Sequence, residues 1–184
     1  MGGMARKPRI EMMGGVHHVF ARGNDRRTIY LDDADRYEYL RLLGRVVAWK
    51  RWRCLSFCLM DNHLHLLVET PMPNLGSGMQ WLHGRFAQLF NERHDRSGHV
   101  FQGRFGSVPM KGEGHLWTTV GYIAWNPATA GLCPRPADWH WSSHRALCGV
   151  ESAPEWLDRD RLFEYYSALG GDPQARYVDA VEQR

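Results

Sequence analysis

Hydrophobic and polar residues alternate in four short segments of the 184-residue chain, and two longer segments repeat apolar residues every three or four positions. The alternation predicts β-strands at about residues 15–22, 53–60, 63–69 and 104–110. The helical period predicts one helix that begins at Asp32 or Asp33 and ends near Lys50, and a second over about residues 75–94. The order β-α-β-β-α-β is typical of an α+β fold of the ferredoxin-like or RRM-like kind, with an antiparallel sheet and both helices on one face.

A further helix is predicted from about Glu113 to Trp125, and Pro127 should end it because the residue before a proline avoids helical geometry. Its glycines and β-branched residues disfavour a helix, so we expect it to depend on tertiary packing. Its polar residues recur at spacings of four, three and four and so form one stripe: His115, Thr119, Tyr122 and Asn126. This stripe could lie across the face of the sheet that the first two helices leave open.

The third predicted strand contains two histidines, His63 and His65, which point to the same face because side chains alternate along a strand. Two such imidazoles can bind one divalent cation, although a hydrogen-bonded structural pair has the same spacing. If the polar stripe faces them, the amide oxygen of Asn126 becomes a third ligand and Tyr122 lies one turn away. Imidazole and oxygen ligands suit Mg²⁺ or Mn²⁺.

That set of residues suggests attack by a tyrosine hydroxyl on a phosphodiester. A phenol is a weak nucleophile at neutral pH, and a cation that polarises the phosphate would offset the weakness. The products would be a covalent 5′-phosphotyrosine and a free 3′-hydroxyl. Other polar groups on the sheet are expected to have different roles: His17 or His18 as a hydrogen-bonded structural histidine rather than a fourth ligand, and Glu69 as a surface charge.

Composition and charge add only a little evidence about function. The net charge is +3, but arginines cluster near the predicted strands, and Arg22, Arg85 and Arg104 are candidates for contacts to phosphate. No apolar run approaches the length of a membrane span. The four cysteines form no CxxC pair, which indicates free thiols of a cytoplasmic protein and makes zinc binding through them unexpected.

Several motifs occur in the order typical of one family. The chain resembles the REP-associated tyrosine transposases, which are single-tyrosine transposases of the His-hydrophobic-His (HUH) nuclease superfamily. The resemblance covers about residues 16–148, and one departure is Ala124, where the family usually has a bulky residue or histidine. It rests on the sequences HVFARGN (18–24), MDNHLHLLV (60–68), GHVFQGRF (98–105), YIAWNPATAGL (122–132) and WHWSSHR (139–145).

The resemblance implies Tyr122 as the nucleophile and His63, His65 and Asn126 as metal ligands. It also implies a bacterial, nucleoid-associated enzyme that nicks and rejoins single-stranded DNA, often at a palindromic hairpin, as a monomer or homodimer. A non-catalytic single-stranded DNA- or RNA-binding module on the same fold is the alternative, and a hydrolase that activates water is a weaker one. We expect a flexible basic N-terminus (1–14), a transposase domain (15–150) and a partly helical C-terminal extension (151–184), with disorder after Gly170.

Overall fold

The computed structural model describes residues 13–182, so most of the expected flexible N-terminus lies outside the described residues. Four strands and six α-helices follow one another in the order β1-α1-β2-β3-α2-β4-α3-α4-α5-α6. Their bounds are β1 Gly15–Arg22, α1 Asp33–Lys50, β2 Arg53–Leu59, β3 His63–Thr70, α2 Leu75–Arg93, β4 Gly106–Pro109, α3 Glu113–Thr129, α4 His144–Leu147, α5 Arg159–Ser167 and α6 Pro173–Glu182.

The four strands form one antiparallel sheet in the order β2-β3-β1-β4. This is the predicted ferredoxin-like arrangement, in which the two strands at the centre of the sheet are not neighbours in sequence. β2 and β3 form a hairpin through Asp61 and Asn62, closed by a 2.9 Å hydrogen bond from the Met60 amide to the His63 carbonyl. β4 is shorter than the predicted 104–110, because its pairing with β1 covers only four residues.

Helices α1 and α2 pack on one face of the sheet and bury apolar side chains there, among them Leu43 and Val46 of α1 and Met79 and Phe86 of α2. Asp32 caps α1, since its carboxylate accepts a 3.1 Å hydrogen bond from the Asp35 amide. The buried Asp35 carboxylate joins the two helices by accepting bonds from Arg93 at 2.6 Å and His94 at 2.9 Å. On the sheet, Leu64 and Leu66 are fully buried. Cys54 and Cys58 are buried free thiols, as predicted.

The third long helix does not end at Pro127. α3 continues through this proline to Thr129, so the prediction of an end at Trp125 or Asn126 is wrong. Proline removes one amide donor, but the next turn is closed by a 3.0 Å hydrogen bond from the Ala130 amide to the Asn126 carbonyl. Pro127 is buried, and its packing outweighs the local preference against helix before a proline.

The C-terminal residues complete the fold, and the expectation of disorder after Gly170 is wrong for residues 173–182, which form α6. Tyr177 and Val181 of α6 are buried. Two indole N–H groups of α3 donate to backbone carbonyls of this segment: Trp117 to Tyr165 at 3.2 Å and Trp125 to Val181 at 2.6 Å. The second face of the sheet is therefore open only in part.

Candidate active site

Alternation along β3 and β1 directs a set of polar side chains to the open part of this second face. In the antiparallel register Phe20 is paired with His65 and Arg22 with His63, so side chains of both strands lie side by side. α3 crosses the same face and adds Tyr122. These residues line a cleft of about 840 Å³ together with the loop before β4. The full lining is His18, Phe20, Ala21, Arg22, His63, His65, Gln102, Gly103, Arg104, Gly106 and Tyr122.

Asn126 lies between the two histidines of β3. Its Oδ1 is 3.0 Å from His63 Nε2, and its Nδ2 is 3.3 Å from His65 Nε2. The two imidazole rings are nearly perpendicular, with centroids 5.2 Å apart. The structure therefore brings together the three residues that the spacing and the family resemblance indicated as ligands, and it directs the same ring nitrogen of each histidine toward one amide.

The hydrogen-bond partners determine which ring nitrogen of His63 carries the proton. Asn62 Nδ2 donates to the Arg26 carbonyl at 3.1 Å, so Asn62 Oδ1 faces His63 Nδ1, 2.8 Å away, as an acceptor. His63 Nδ1–H is thus the donor, and Nε2 carries the lone pair. That lone pair faces Asn126 Oδ1, which is also an acceptor. Two acceptors therefore face each other at a distance of 3.0 Å.

His65 has a partner on each ring nitrogen. Asn126 Nδ2 donates to its Nε2, and its Nδ1 lies 2.9 Å from Nε2 of His18 on the neighbouring strand. His17 or His18 was expected to be a hydrogen-bonded structural histidine rather than a fourth ligand, and His18 makes a hydrogen bond of this kind. His17, the adjacent histidine, points to the opposite face and is 1% exposed.

Burial favours the uncharged form of the cleft histidines. It lowers the pKa of His65 to about 3, with smaller contributions from His18 and His63, and it lowers the pKa of His18 to about 4. Burial also lowers the pKa of His63 below its ordinary value, although the amide oxygen of Asn126 favours the protonated ring and acts in the opposite direction. All three imidazoles are therefore neutral at neutral pH, which is the form that binds metal ions.

Tyr122 is the accessible member of the site. Its side chain is 46% exposed, and its ring lies edge-on to the two neighbouring imidazoles, with centroid distances of 5.2 Å to His65 and 5.9 Å to His18. Asn126 follows one helical turn later, so the hydroxyl-bearing ring and the amide extend from the same side of α3. Tyr122 is therefore accessible from the cleft that it lines.

The three arginines that were candidates for phosphate contacts do not lie together. Arg22 and Arg104 both line the cleft and are exposed. Arg85 does not line the cleft: it lies on the exposed side of α2, where its guanidinium donates to Gln88 at 2.9 Å.

Glu69, expected to be a surface charge, is 8% exposed and accepts a 2.8 Å hydrogen bond from Arg161 of α5. The expectation for Glu69 is therefore wrong, because the C-terminal segment covers that end of β3.

Several cleft residues were not identified as site residues from the sequence. Phe20 follows His18 by two positions on β1, so the same alternation that selected His63 and His65 would have placed both on one face. Gln102 and Gly103 belong to a loop with no periodic pattern. Their position depends on a 2.9 Å hydrogen bond from the Gln102 amide to the Arg22 carbonyl, which only the folded structure shows.

Two classes of feature are absent from residues 13–182. No cluster of three or more histidine, cysteine, aspartate or glutamate side chains is arranged to hold a metal ion. No helix within these residues has the length and apolar character needed to cross a membrane.

Comparisons with known proteins find one matching family model and similar solved structures. A family model described as "Transposase IS200 like" matches residues 13–126. A solved structure of a REP-associated tyrosine transposase bound to a REP hairpin superimposes with a TM-score of 0.65 and 21% identity, over 84% of this chain and 94% of that one. A candidate transposase from Deinococcus radiodurans R1 gives a TM-score of 0.46 and 13% identity over 62% and 93% of the two chains. No curated protein matches the sequence.

Proposed function

The chain belongs to the IS200-like transposase family, and from this premise we propose that it nicks and rejoins single-stranded DNA through a covalent 5′-phosphotyrosine at Tyr122. The observation that carries the proposal is the convergence of Tyr122, His63, His65 and Asn126 at one cleft, from two elements about sixty residues apart in sequence. The same cleft contains two arginines with no acidic partner among residues 13–182.

The proposed cleavage is an exchange of one phosphate ester for another. The Tyr122 hydroxyl oxygen forms a bond to phosphorus and loses its proton to solvent. The bond between phosphorus and the 3′-oxygen breaks, and that oxygen takes up a proton to become a free 3′-hydroxyl. The number of phosphate ester bonds is unchanged, so the bond energy is retained in the phosphotyrosine. Attack by a 3′-hydroxyl on the phosphotyrosine then restores a DNA strand and releases Tyr122.

The donor set supports a hard divalent cation. His63 Nε2 and His65 Nε2 both face the Asn126 amide, whose Oδ1 lies 3.0 Å from His63 and whose Nδ2 lies 3.3 Å from His65. The other ring nitrogens contact Asn62 Oδ1 and His18 Nε2. Imidazole with oxygen ligands is compatible with Mg²⁺ or Mn²⁺. When bound there, such an ion would neutralise charge on the phosphate and help the 3′-oxygen to leave. The residues of the chain hold the imidazoles neutral and in a fixed orientation.

We further propose that the substrate is a DNA hairpin with a single-stranded flank. The similar REP-associated transposase is described in complex with a REP hairpin. In this chain Arg22 and Arg104 are exposed at the cleft, next to the tyrosine. Guanidinium groups in this position can bind the backbone phosphates on either side of the cleaved bond.

The test is formation of a covalent protein–DNA adduct. The protein is incubated with a labelled hairpin oligonucleotide that has a single-stranded 5′ flank, with Mg²⁺ or Mn²⁺, and the product is resolved under denaturing conditions. We expect a labelled protein band with wild type and none with Tyr122→Phe, whereas Tyr37→Phe, a change at another exposed tyrosine, retains the band. Peptide mass mapping should place the nucleotide on residue 122.

Two results would contradict the proposal. If Tyr122→Phe still forms the adduct, the nucleophile is another residue. If the oligonucleotide is bound but no adduct forms with either metal, the chain acts as a binding module without this chemistry. Changing both His63 and His65 to Ala should abolish the adduct and retain most of the DNA binding, because the arginines remain.

A further inference from the structure

We propose that His18 is a positioning residue that holds His65 in the tautomer able to bind a cation. This inference rests on the proposed function, since it concerns a ligand of the proposed metal site. His18 is not one of the proposed ligands, and its ring lies 5.9 Å from that of Tyr122, centroid to centroid. It acts through the 2.9 Å contact between its Nε2 and His65 Nδ1.

The donor in the hydrogen bond between His65 and His18 is identified by the contact on the opposite side of the His65 ring. In the orientation that the structure gives the Asn126 amide, Nδ2 donates, and His65 Nε2, 3.3 Å away, accepts with a lone pair. A neutral imidazole has one protonated nitrogen, and for His65 it is therefore Nδ1. His65 Nδ1–H donates to His18 Nε2, which must be unprotonated. The two ring nitrogens of His65 point in different directions, so His18 and Asn126 lie on opposite sides of the ring.

The same arrangement occurs independently at the second histidine. His63 Nδ1–H donates to Asn62 Oδ1 at 2.8 Å, and Asn62 is oriented by its own bond to the Arg26 carbonyl. Each of the two histidines thus has a separate acceptor for the proton on its Nδ1. One acceptor comes from a turn and the other from a strand. Outer partners of this kind orient metal-binding histidines and raise their affinity. Asn62 is a short-range partner, whereas His18 is 47 residues away in sequence.

Removing the acceptor at position 18 should change the tautomer of His65. Its Nδ1–H would then be a largely buried donor without a partner, which is unfavourable. The proton would move to Nε2, where it can donate to the Asn126 amide oxygen after that amide rotates. A proton at Nε2 occupies the lone pair that a cation needs. The predicted consequence is weaker metal binding at an intact fold.

Two substitutions separate this role from simple packing. His18→Leu keeps much of the volume and removes the acceptor. His18→Gln places an amide oxygen close to the position of the imidazole Nε2 and should rescue the acceptor role. Phe20→Leu is the matched control, because Phe20 lines the same cleft beside His65, at a centroid distance of 6.4 Å.

The first measurement needs neither metal nor DNA. In the metal-free protein with ¹⁵N-labelled histidine, NMR distinguishes protonated from unprotonated ring nitrogens. We expect the Nδ1–H tautomer of His65 in wild type, His18→Gln and Phe20→Leu, and a shift toward Nε2–H in His18→Leu. A wild-type His65 in the Nε2–H form would overturn the inference, as would a His65 spectrum that is the same in His18→Leu.

The second measurement is calorimetric titration with Mn²⁺ alone. Loss of an outer partner typically lowers metal affinity about 10- to 100-fold, so we expect that loss in His18→Leu and near wild-type affinity in His18→Gln. Equal affinity of His18→Leu and wild type would overturn the inference. If the wild type binds no Mn²⁺ and forms no adduct, the proposed function fails, while the tautomers of His65 still show whether His18 positions the ring.

Discussion

A buried histidine far from the cleft should make the stability of this protein sensitive to mild acid. His83 of α2 is 9% exposed, is stacked on Phe101 with ring centroids 4.1 Å apart, and lies 3.2 Å from the Tyr39 hydroxyl. Burial lowers the pKa of His83 from its ordinary 6.5 to about 3. In the unfolded chain the same imidazole is solvated and takes up a proton near its ordinary pKa.

The sign and size of the effect follow from proton linkage. Between the two pKa values the unfolded state binds more protons than the folded state, so the free energy of unfolding falls as the pH falls. The loss begins near the unfolded pKa of 6.5 and is complete near the folded pKa of about 3. At pH 5 the unfolded imidazole is about 1.5 pH units below its pKa, which corresponds to a loss of about 2 kcal/mol from this residue.

The assay is urea unfolding at pH 7 and pH 5 for wild type, His83→Gln and Tyr39→Phe. His83→Gln has no group that titrates here, so its loss of stability between the two pH values should be smaller than that of wild type by about 2 kcal/mol. Any uniform destabilisation by the substitution cancels in this comparison. Tyr39→Phe removes the hydrogen bond but keeps the histidine, and should retain most of the wild-type pH dependence. Equal pH dependence in wild type and His83→Gln would refute the reasoning.

Two further predictions concern packing and DNA binding. Gly78→Ala should destabilise the fold by about 1–3 kcal/mol, because a Cβ there would lie 2.2 Å from the Trp52 ring. Gly84→Ala, on the same helix but in open space, should stabilise the fold by about 0.5–1 kcal/mol. Chemical denaturation of both variants tests the pair, and equal effects would contradict the prediction. Arg22→Ala and Arg104→Ala should each reduce the salt dependence of hairpin binding by about one unit in the slope of log K against log salt. Arg85→Ala, outside the cleft, should leave that slope unchanged, and an equal reduction there would count against the cleft as the DNA site.

The sheet and its first two helices were predictable because their signals are local. The Asp32 cap, the three-and-four period of α1 and the Asp61–Asn62 hairpin each depend on residues within a few positions. The end of α3 was not predictable in this way. Pro127 disfavours a helix through its immediate neighbours, but its own burial in the folded chain decides the outcome.

For the site residues, too, local patterns were predictable and contacts between distant segments were not. Alternation on β3 placed His63 and His65 on one face, and the spacing on α3 placed Asn126 one turn after Tyr122. The contact between His18 and His65 depends on strand register, and the burial of Glu69 depends on the C-terminal segment; neither has a periodic signature in the sequence. Arg85 was a candidate because arginines cluster in sequence, and sequence clustering does not specify a face of the sheet.

The helix that carries the tyrosine depends on residues beyond the segment that the family model matches. The match ends at residue 126, whereas α3 is bound by backbone carbonyls at Tyr165 and Val181 through the indoles of Trp117 and Trp125. These two bonds lie on either side of Tyr122 along the helix. Because α3 has a weak intrinsic helical preference, such contacts stabilise both the helix and its place on the sheet. The geometry of the cleft is therefore a property of the whole described chain, including its C-terminal helices.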